Sequence, residues 1–132
     1  MKKIALTLIL MFLITVACQD KSTNDIHVIT VEQMNEVLDS DNLQLVDVRT
    51  LDEYRLGHIG NAQNICVTND DFQEKAKLLD KNKPVYLYCK RGGRSAKAAK
   101  ILKEMGFKEI YDIKGGMGAW ESKGFKTNKS TP

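Results

Sequence analysis

The stretch from Lys83 to Gly106 constrains this chain more than any other. Val85-Tyr86-Leu87-Tyr88, opened by Lys83-Pro84, is an apolar β-prone run. Ser95 to Met105 sets Ala96, Ala99, Ile101, Leu102 and Met105 on one face of a helix that Gly106 stops. Between them lies a short loop, Cys89-Lys90-Arg91-Gly92-Gly93-Arg94. A strand feeding a helix through so few residues is a unit of α/β architecture, not of hairpins or helical bundles.

The rest of the chain repeats that alternation. Ile26 to Ile29 reads as a strand, and Thr30 with Gln33 as a capping box for a helix carrying Val31, Met34, Val37 and Leu38. Leu43 to Val48 reads as a buried strand, followed by a second capping box, Thr50 and Glu53, for a short helix with Tyr54. Gly57 and Gly60 mark a turn before a strand over Ala62 to Val67. Asp70-Asp71 start a helix with Phe72, Ala76 and Leu79 on one side. Glu109 to Ile113 is a last strand, Lys114 to Gly118 a turn, and Ala119-Trp120 part of a final short helix. The expected fold is α/β, with an about five-stranded, mainly parallel sheet and helices on both faces. Such sheets place ligands beyond the carboxyl ends of their strands. That singles out Asp47-Val48-Arg49, Ile65-Cys66 and Tyr88-Cys89.

The N-terminus reads as an address. Lys2 and Lys3 precede an uncharged run from Ile4 to Ala17, which suits a signal peptide and is too short to span a bilayer. Ala17-Cys18 followed by polar Gln19-Asp20-Lys21 resembles the bacterial lipoprotein signal, in which the Cys becomes the lipidated first residue; Thr15 departs from its usual aliphatic. The expected organisation is a signal peptide over 1–17, a polar tether with lipidated Cys18 over 18–25, one domain over 26–125 and a polar tail over 126–132. The protein is then expected in a bacterial cell envelope, exported and anchored to a membrane surface through lipid. The net charge of +3 falls to about +1 without Lys2 and Lys3, which removes any general electrostatic case for nucleic acid. Three Cys in 132 residues are too few for a disulfide scaffold.

The loop at Cys89 carries the chemistry. Paired glycines turn backbone N–H groups inward, and the following helix adds its unpaired N–H groups and the positive end of its dipole. Lys90, Arg91 and Arg94 bring three cations near one thiol. All these influences favour the thiolate. The combination describes an anion cradle with a nucleophilic sulfur at its base.

This loop resembles the C-x-x-G-x-R-S active-site loop of the rhodanese family of sulfurtransferases. Further matches follow in order: Asp47-Val48-Arg49, Glu53-Tyr54, Gly57-His58-Ile59, Ala62-Gln63-Asn64-Ile65, and the closing Gly115-Gly116 with Trp120. The departures are Cys66, where the family commonly has Pro, and the paired Lys90 and Arg91 after the nucleophile. The resemblance implies a rhodanese-like fold and covalent catalysis in two halves. Cys89 takes a sulfane sulfur from a small anionic donor such as thiosulfate and passes it, as a persulfide, to cyanide or a thiol, a protein thiol included. Lys90, Arg91, Gly92, Gly93, Arg94 and Ser95 would bind the substrate, with Arg94 either reaching the donor or bracing the loop. No cofactor or metal is implied.

Asp47, Arg49, Glu53 and His58 read as structural support: an Arg–carboxylate pair pins the helix after its strand, and His58 hydrogen-bonds a turn. Trp120 reads as a core plug. The resemblance implies a strand order that sets one strand between Cys66 and Cys89, and on that order they are expected to remain unbonded. Two other functions fit the loop less well. A sulfur-carrier or redox module without thiosulfate turnover shares the thiol but lacks the C-x-x-C pair. A cysteine phosphatase uses C-x5-R, whereas only four residues separate Cys89 from Arg94.

Overall fold

The computed structural model describes residues 25–130. The expected signal peptide and Cys18 lie outside them, as does all of the tether except Asp25. Five strands are present: β1 (Asp25–Ile29), β2 (Gln44–Asp47), β3 (Gln63–Asn64), β4 (Val85–Tyr88) and β5 (Glu109–Ile113). The described helices are α1 (Val31–Val37), α2 (Leu51–Leu56), α3 (Phe72–Ala76), α4 (Gly93–Glu104) and α5 (Gly116–Ser122). The strand order is β1-β5-β4-β2-β3, and every pair is parallel. Asp25, assigned above to the tether, already stands opposite Glu109 in the sheet.

Parallel strands need crossovers, and the helices supply them on both faces. On one face Val46, Val48, Leu87 and Ile110 meet Phe72 and Ala76 of α3 and Ala98, Ala99 and Leu102 of α4. On the other, Leu45, Tyr88 and Ile113 meet Val31 and Met34 of α1 and Met117 and Trp120 of α5. The period-two alternation of β2 and β4 sends neighbouring residues to opposite cores. Both capping boxes form, Thr30 with Gln33 and Thr50 with Glu53.

Several boundaries differ from the sequence reading. The strand expected over Ala62 to Val67 is regular only at Gln63–Asn64, and beyond it the N–H groups of Ile65 and Val67 still donate to Asp47 O and Val48 O at 3.0 and 3.1 Å. Asp71 precedes α3 without a side-chain capping bond. Helix α4 begins two residues earlier than expected, at Gly93, and Ala96 faces solvent while Ala98 is buried. Helix α5 starts at Gly116, inside the expected turn. The C-terminal tail returns to the domain: Phe125 packs on Trp120 with ring centroids 4.8 Å apart, and Asn128 exchanges backbone hydrogen bonds of 2.9 Å with His58.

Candidate active site

β4 is central in the sheet, so the backbone leaving its carboxyl end is fixed on both sides. Cys89 is the first residue past it, and its side chain joins the core under α4. The chain then folds back on the sulfur. The Gly92 N–H donates to Cys89 Sγ at 3.0 Å, and Ser95 Oγ lies 3.6 Å from the same atom. Gly92 has φ +127°, a conformation few side chains tolerate, and this turns its amide inward. The Ser95 hydroxyl also donates to Gly92 O at 3.1 Å.

Burial is the largest influence on the Cys89 thiol, and it opposes ionisation. The Ser95 hydroxyl and the backbone amides of Ser95, Gly92 and Arg91 together outweigh it and hold the thiol below its ordinary proton affinity. Lys90, Arg91 and Arg94 are the three cations expected beside the thiol. Two of them are engaged elsewhere: Lys90 Nζ meets Glu121 at 3.2 Å, and Arg94 meets both oxygens of Glu53 at 2.7 and 2.8 Å. Arg94 still lies near enough for the sulfurs of Cys89 and Cys66 to favour its charge. Arg91 is exposed and has no ion pair among the described residues.

Cys89 itself is only 1% exposed. The floor of the site is closed, but its rim is not. A side chain at Gly92 or Gly93 would meet nothing within 4 Å. The sulfur is thus held at the bottom of a bowl of amides, and the glycines of the loop border open space. Beside the bowl, Arg49, Glu53, Leu56, Gly57, Lys90 and Glu121 line a recess of about 280 Å³.

The supporting residues form a second layer. The Asp47 and Arg49 side chains are buried together, with Arg49 Nη2 2.6 Å from Asp47 Oδ2 and also donating to Gly57 O at 2.6 Å. Arg49 therefore pins the end of α2 through the Gly57 carbonyl, while Glu53 serves Arg94 and the Thr50 cap instead. The Arg49 guanidinium also lies 5.7 Å from the centre of the Tyr88 ring, and the Tyr88 hydroxyl accepts from Ile59 N–H at 3.0 Å. His58 is buried, stacked on Tyr54, with Nδ1 3.0 Å from Tyr54 O. Its contacts are those of a turn hydrogen-bonder. Trp120 is 1% exposed and donates to Lys126 O, the place of a core plug.

Gly115 to Gly118, expected as a turn, also touches the nucleophile's backbone. The Met117 N–H donates to Cys89 O at 2.8 Å, and Gly118 N–H to Lys90 O at 3.0 Å. Gly116, at φ +52°, comes so close that a Cβ there would lie 2.2 Å from Cys89 O. The start of α5 is therefore a latch on the nucleophile's own backbone. The only signal for it in the sequence was the Gly115-Gly116 pair.

Comparison with known proteins agrees with this construction. The rhodanese-like domain family matches residues 30–123. YqhL of Bacillus subtilis is 41% identical over 80 residues, which cover 61% of this chain and 62% of that protein. Thiosulfate sulfurtransferase GlpE of Coxiella burnetii is 37% identical over 87 residues, 66% of this chain and 79% of that one. The crystal structure of a rhodanese-like domain protein from Staphylococcus aureus superposes with a TM-score of 0.69 at 32% identity, covering 80% of this chain and 99% of that one. A cysteine cradled by amides at the end of the central strand, with this sheet order and these relatives, places the chain in the rhodanese-like domain family.

Proposed function

We propose that the protein is a sulfurtransferase that carries sulfur on Cys89. The observation that bears the reading is the Gly92 amide 3.0 Å from a buried thiol whose proton affinity is lowered in spite of its burial. The Cys89 thiolate attacks the outer sulfur of a thiosulfate-like anion. The bond between the two donor sulfurs breaks, sulfite leaves with its electron pair, and a Cys89 persulfide anion remains. A thiophile such as cyanide, or a thiol, then attacks the outer sulfur and returns Cys89 as thiolate. The two half-reactions run in turn, with ping-pong kinetics. The loop amides that favour the thiolate are placed to hold the negative charge of the persulfide as well. Arg91, exposed on the rim, draws in the anionic donor.

Lipidation at Cys18 would hold the domain on a membrane surface of the bacterial envelope. The support is the order Lys2-Lys3, apolar run, Ala17-Cys18, polar spacer. Incorporation of a labelled fatty acid into the full chain, lost in Cys18→Ser, tests this part alone.

For the chemistry, the purified chain is incubated with thiosulfate and weighed. The expected result is a gain of one sulfur atom that cyanide removes and Cys89→Ser abolishes. No gain, or a gain retained in Cys89→Ser, overturns the reading. Aryl phosphates test the phosphatase alternative. Arg94 is turned onto Glu53 and not into the bowl, so negligible hydrolysis is expected.

A further inference from the structure

Each of two loop cations meets a carboxylate supplied from outside the loop. Glu53 of α2 takes Arg94, and Glu121 of α5 takes Lys90, with Nζ 3.2 Å from Oε2. Lys90 and Glu121 are about half exposed, at 46% and 51%. Exposed pairs of that kind add little stability, so the consequence of this one is electrostatic. A carboxylate beside an ammonium turns a charge into a short dipole, and the field of a dipole falls away faster with distance than that of a lone cation. Arg91 is exposed and has no ion pair among the described residues. The two carboxylates thus bring the loop from +3 down to +1.

That cancellation bears on the donor. A thiolate meeting a dianion such as thiosulfate brings three negative charges together, and the loop offers one uncancelled cation against them. A donor with a single negative charge brings two. Lys90 follows the nucleophile directly in the chain, so whatever carboxylate holds it sets how much of its charge an approaching anion feels. Glu121 stands on another element, 31 positions away, and touches the loop through this pair.

We propose that Glu121 is a specificity-determining residue: by cancelling Lys90 it leaves the rim of the Cys89 site one free loop cation and turns selection from doubly charged donors towards singly charged ones. Lys90 itself then makes no contact with the donor. The part about donors rests on the sulfurtransferase reading above; the charge at the rim does not.

The test compares reagents that differ by one charge. Cys89 is alkylated with iodoacetate and with iodoacetamide, and its own peptide is followed by mass spectrometry so that Cys66 does not count. Both reagents consume the thiolate, so the ratio of the two rates does not depend on how much thiolate is present. In Glu121→Gln, which frees Lys90, the iodoacetate-to-iodoacetamide ratio is expected to rise about threefold at low salt, the effect of one elementary charge across a side-chain length of near-aqueous medium. The rise should vanish near about 1 M salt. In Lys90→Gln, which strands Glu121, the ratio is expected to fall by as much. The double variant is expected to return to the wild-type ratio.

Sulfur transfer to cyanide reads the same charge. Methanethiosulfonate, a monoanion, gives up its outer sulfur as thiosulfate does: the bond between its two sulfurs breaks, methanesulfinate leaves with the electron pair, and Cys89 becomes the persulfide anion. The ratio of kcat/KM for thiosulfate to that for methanethiosulfonate should rise about threefold in Glu121→Gln and recover in the double variant. An unchanged alkylation ratio in Glu121→Gln overturns the proposal. So does a double variant that keeps the loss seen in Lys90→Gln, which would make Lys90 a donor contact. An alkylation ratio that moves while the donor ratio stays fixed overturns the part about donors. No turnover of either donor overturns the sulfurtransferase reading and the donor part with it, while the alkylation ratio still decides the charge at the rim.

Discussion

Both terminal nitrogens of Arg94 are occupied by the two carboxylate oxygens of Glu53, at 2.7 and 2.8 Å, across 41 positions of sequence. This pair ties the first turn of α4, and with it the sulfur cradle, to α2. Glu53 also accepts from the Thr50 N–H at 3.1 Å, so one carboxylate closes a helix cap and braces the active-site loop together. α2 has no fully buried residue of its own, and besides these ties at its ends Tyr54 anchors it, stacked on His58 and donating to Ala62 O at 2.8 Å.

The brace has a pH signature. The Arg94 hydrogen bonds, with smaller help from Thr50 and against the cost of burial, bring Glu53 down to about 2. A carboxylate whose folded value lies below its unfolded one contributes stability above the unfolded value, about 4.3, and loses it as pH falls towards 2. The side chains are 32% exposed, so solvent screening limits the pair to about 1 kcal/mol. Urea denaturation of Glu53→Gln should show that loss at pH 7, a shrinking difference from wild type below about pH 4, and little difference at about pH 2 or below. In thiosulfate turnover, Glu53→Gln and Arg94→Gln should act alike and non-additively. A raised KM confined to Arg94→Gln would make this arginine a donor-binding group instead.

Ser95 is the leading group that favours the Cys89 thiolate. Replacing it with Ala removes a hydroxyl donor but leaves the amides of Gly92 and Arg91 in place. Alkylation of Cys89 at pH 7 should slow by about tenfold or more, the effect of one hydrogen bond to a charged group. The wild-type alkylation midpoint should lie below the value of about 8.5 for a free cysteine. A midpoint at or above that value would mean that burial prevails over the donors.

Gly116 should tolerate nothing larger. A Cβ would sit 2.2 Å from Cys89 O and 2.9 Å from its carbonyl carbon, at a φ of +52°. Gly116→Ala is expected to cost about 2 kcal/mol or more and to displace the backbone that holds the sulfur. Gly93→Ala is the control, since its added methyl meets nothing and its backbone needs no glycine. It should change stability by less than about 0.5 kcal/mol in thermal or urea unfolding.

The elements legible in the sequence were those specified locally. Thr30 with Gln33 and Thr50 with Glu53 form capping boxes because three residues suffice to define one. The loop from Cys89 to Ser95 was readable for the same reason: strand, glycines and helix are contiguous. What escaped was built from distant residues. Lys90 and Arg94 read as cations aimed at the thiol, and only the fold brings Glu121 and Glu53 to meet them. The contact of Gly116 with Cys89 O joins segments 27 positions apart, and nothing in a short window announces it.

Arg49 and Asp47 should prove the most sensitive support. Their side chains are 4% and 0% exposed, and Arg49 gives Asp47 and the Gly57 carbonyl their hydrogen bonds. Arg49→Ala leaves a buried carboxylate alone and is expected to destabilise the domain by about 3–5 kcal/mol. Adding Asp47→Asn should recover part of that loss in equilibrium unfolding, since the stranded charge is gone. A double variant no more stable than Arg49→Ala would show that packing, not the uncompensated charge, dominates.

Cys66 follows β3 and Cys89 follows β4, with β2 between those strands. Two strand spacings amount to about 9.6 Å. A disulfide requires Cα atoms within about 7 Å, and both thiols are free. Cys66 Sγ rests instead 3.2 Å from Thr68 Oγ1. Closing the gap would draw the edge strand across β2, which the parallel hydrogen bonds of Val46 with Gln63 and Asp47 with Asn64 resist. Air-oxidised protein is therefore expected to yield both thiols free, with no peptide crosslink between them by mass spectrometry. A persulfide extends Cys89 by one sulfur–sulfur bond of about 2 Å, which still leaves Cys66 out of reach. Its lifetime without acceptor should be the same in wild type and Cys66→Ala. A persulfide that decays faster in wild type, releasing sulfide and leaving a crosslink, would show that the edge of the sheet opens far enough for Cys66 to discharge it.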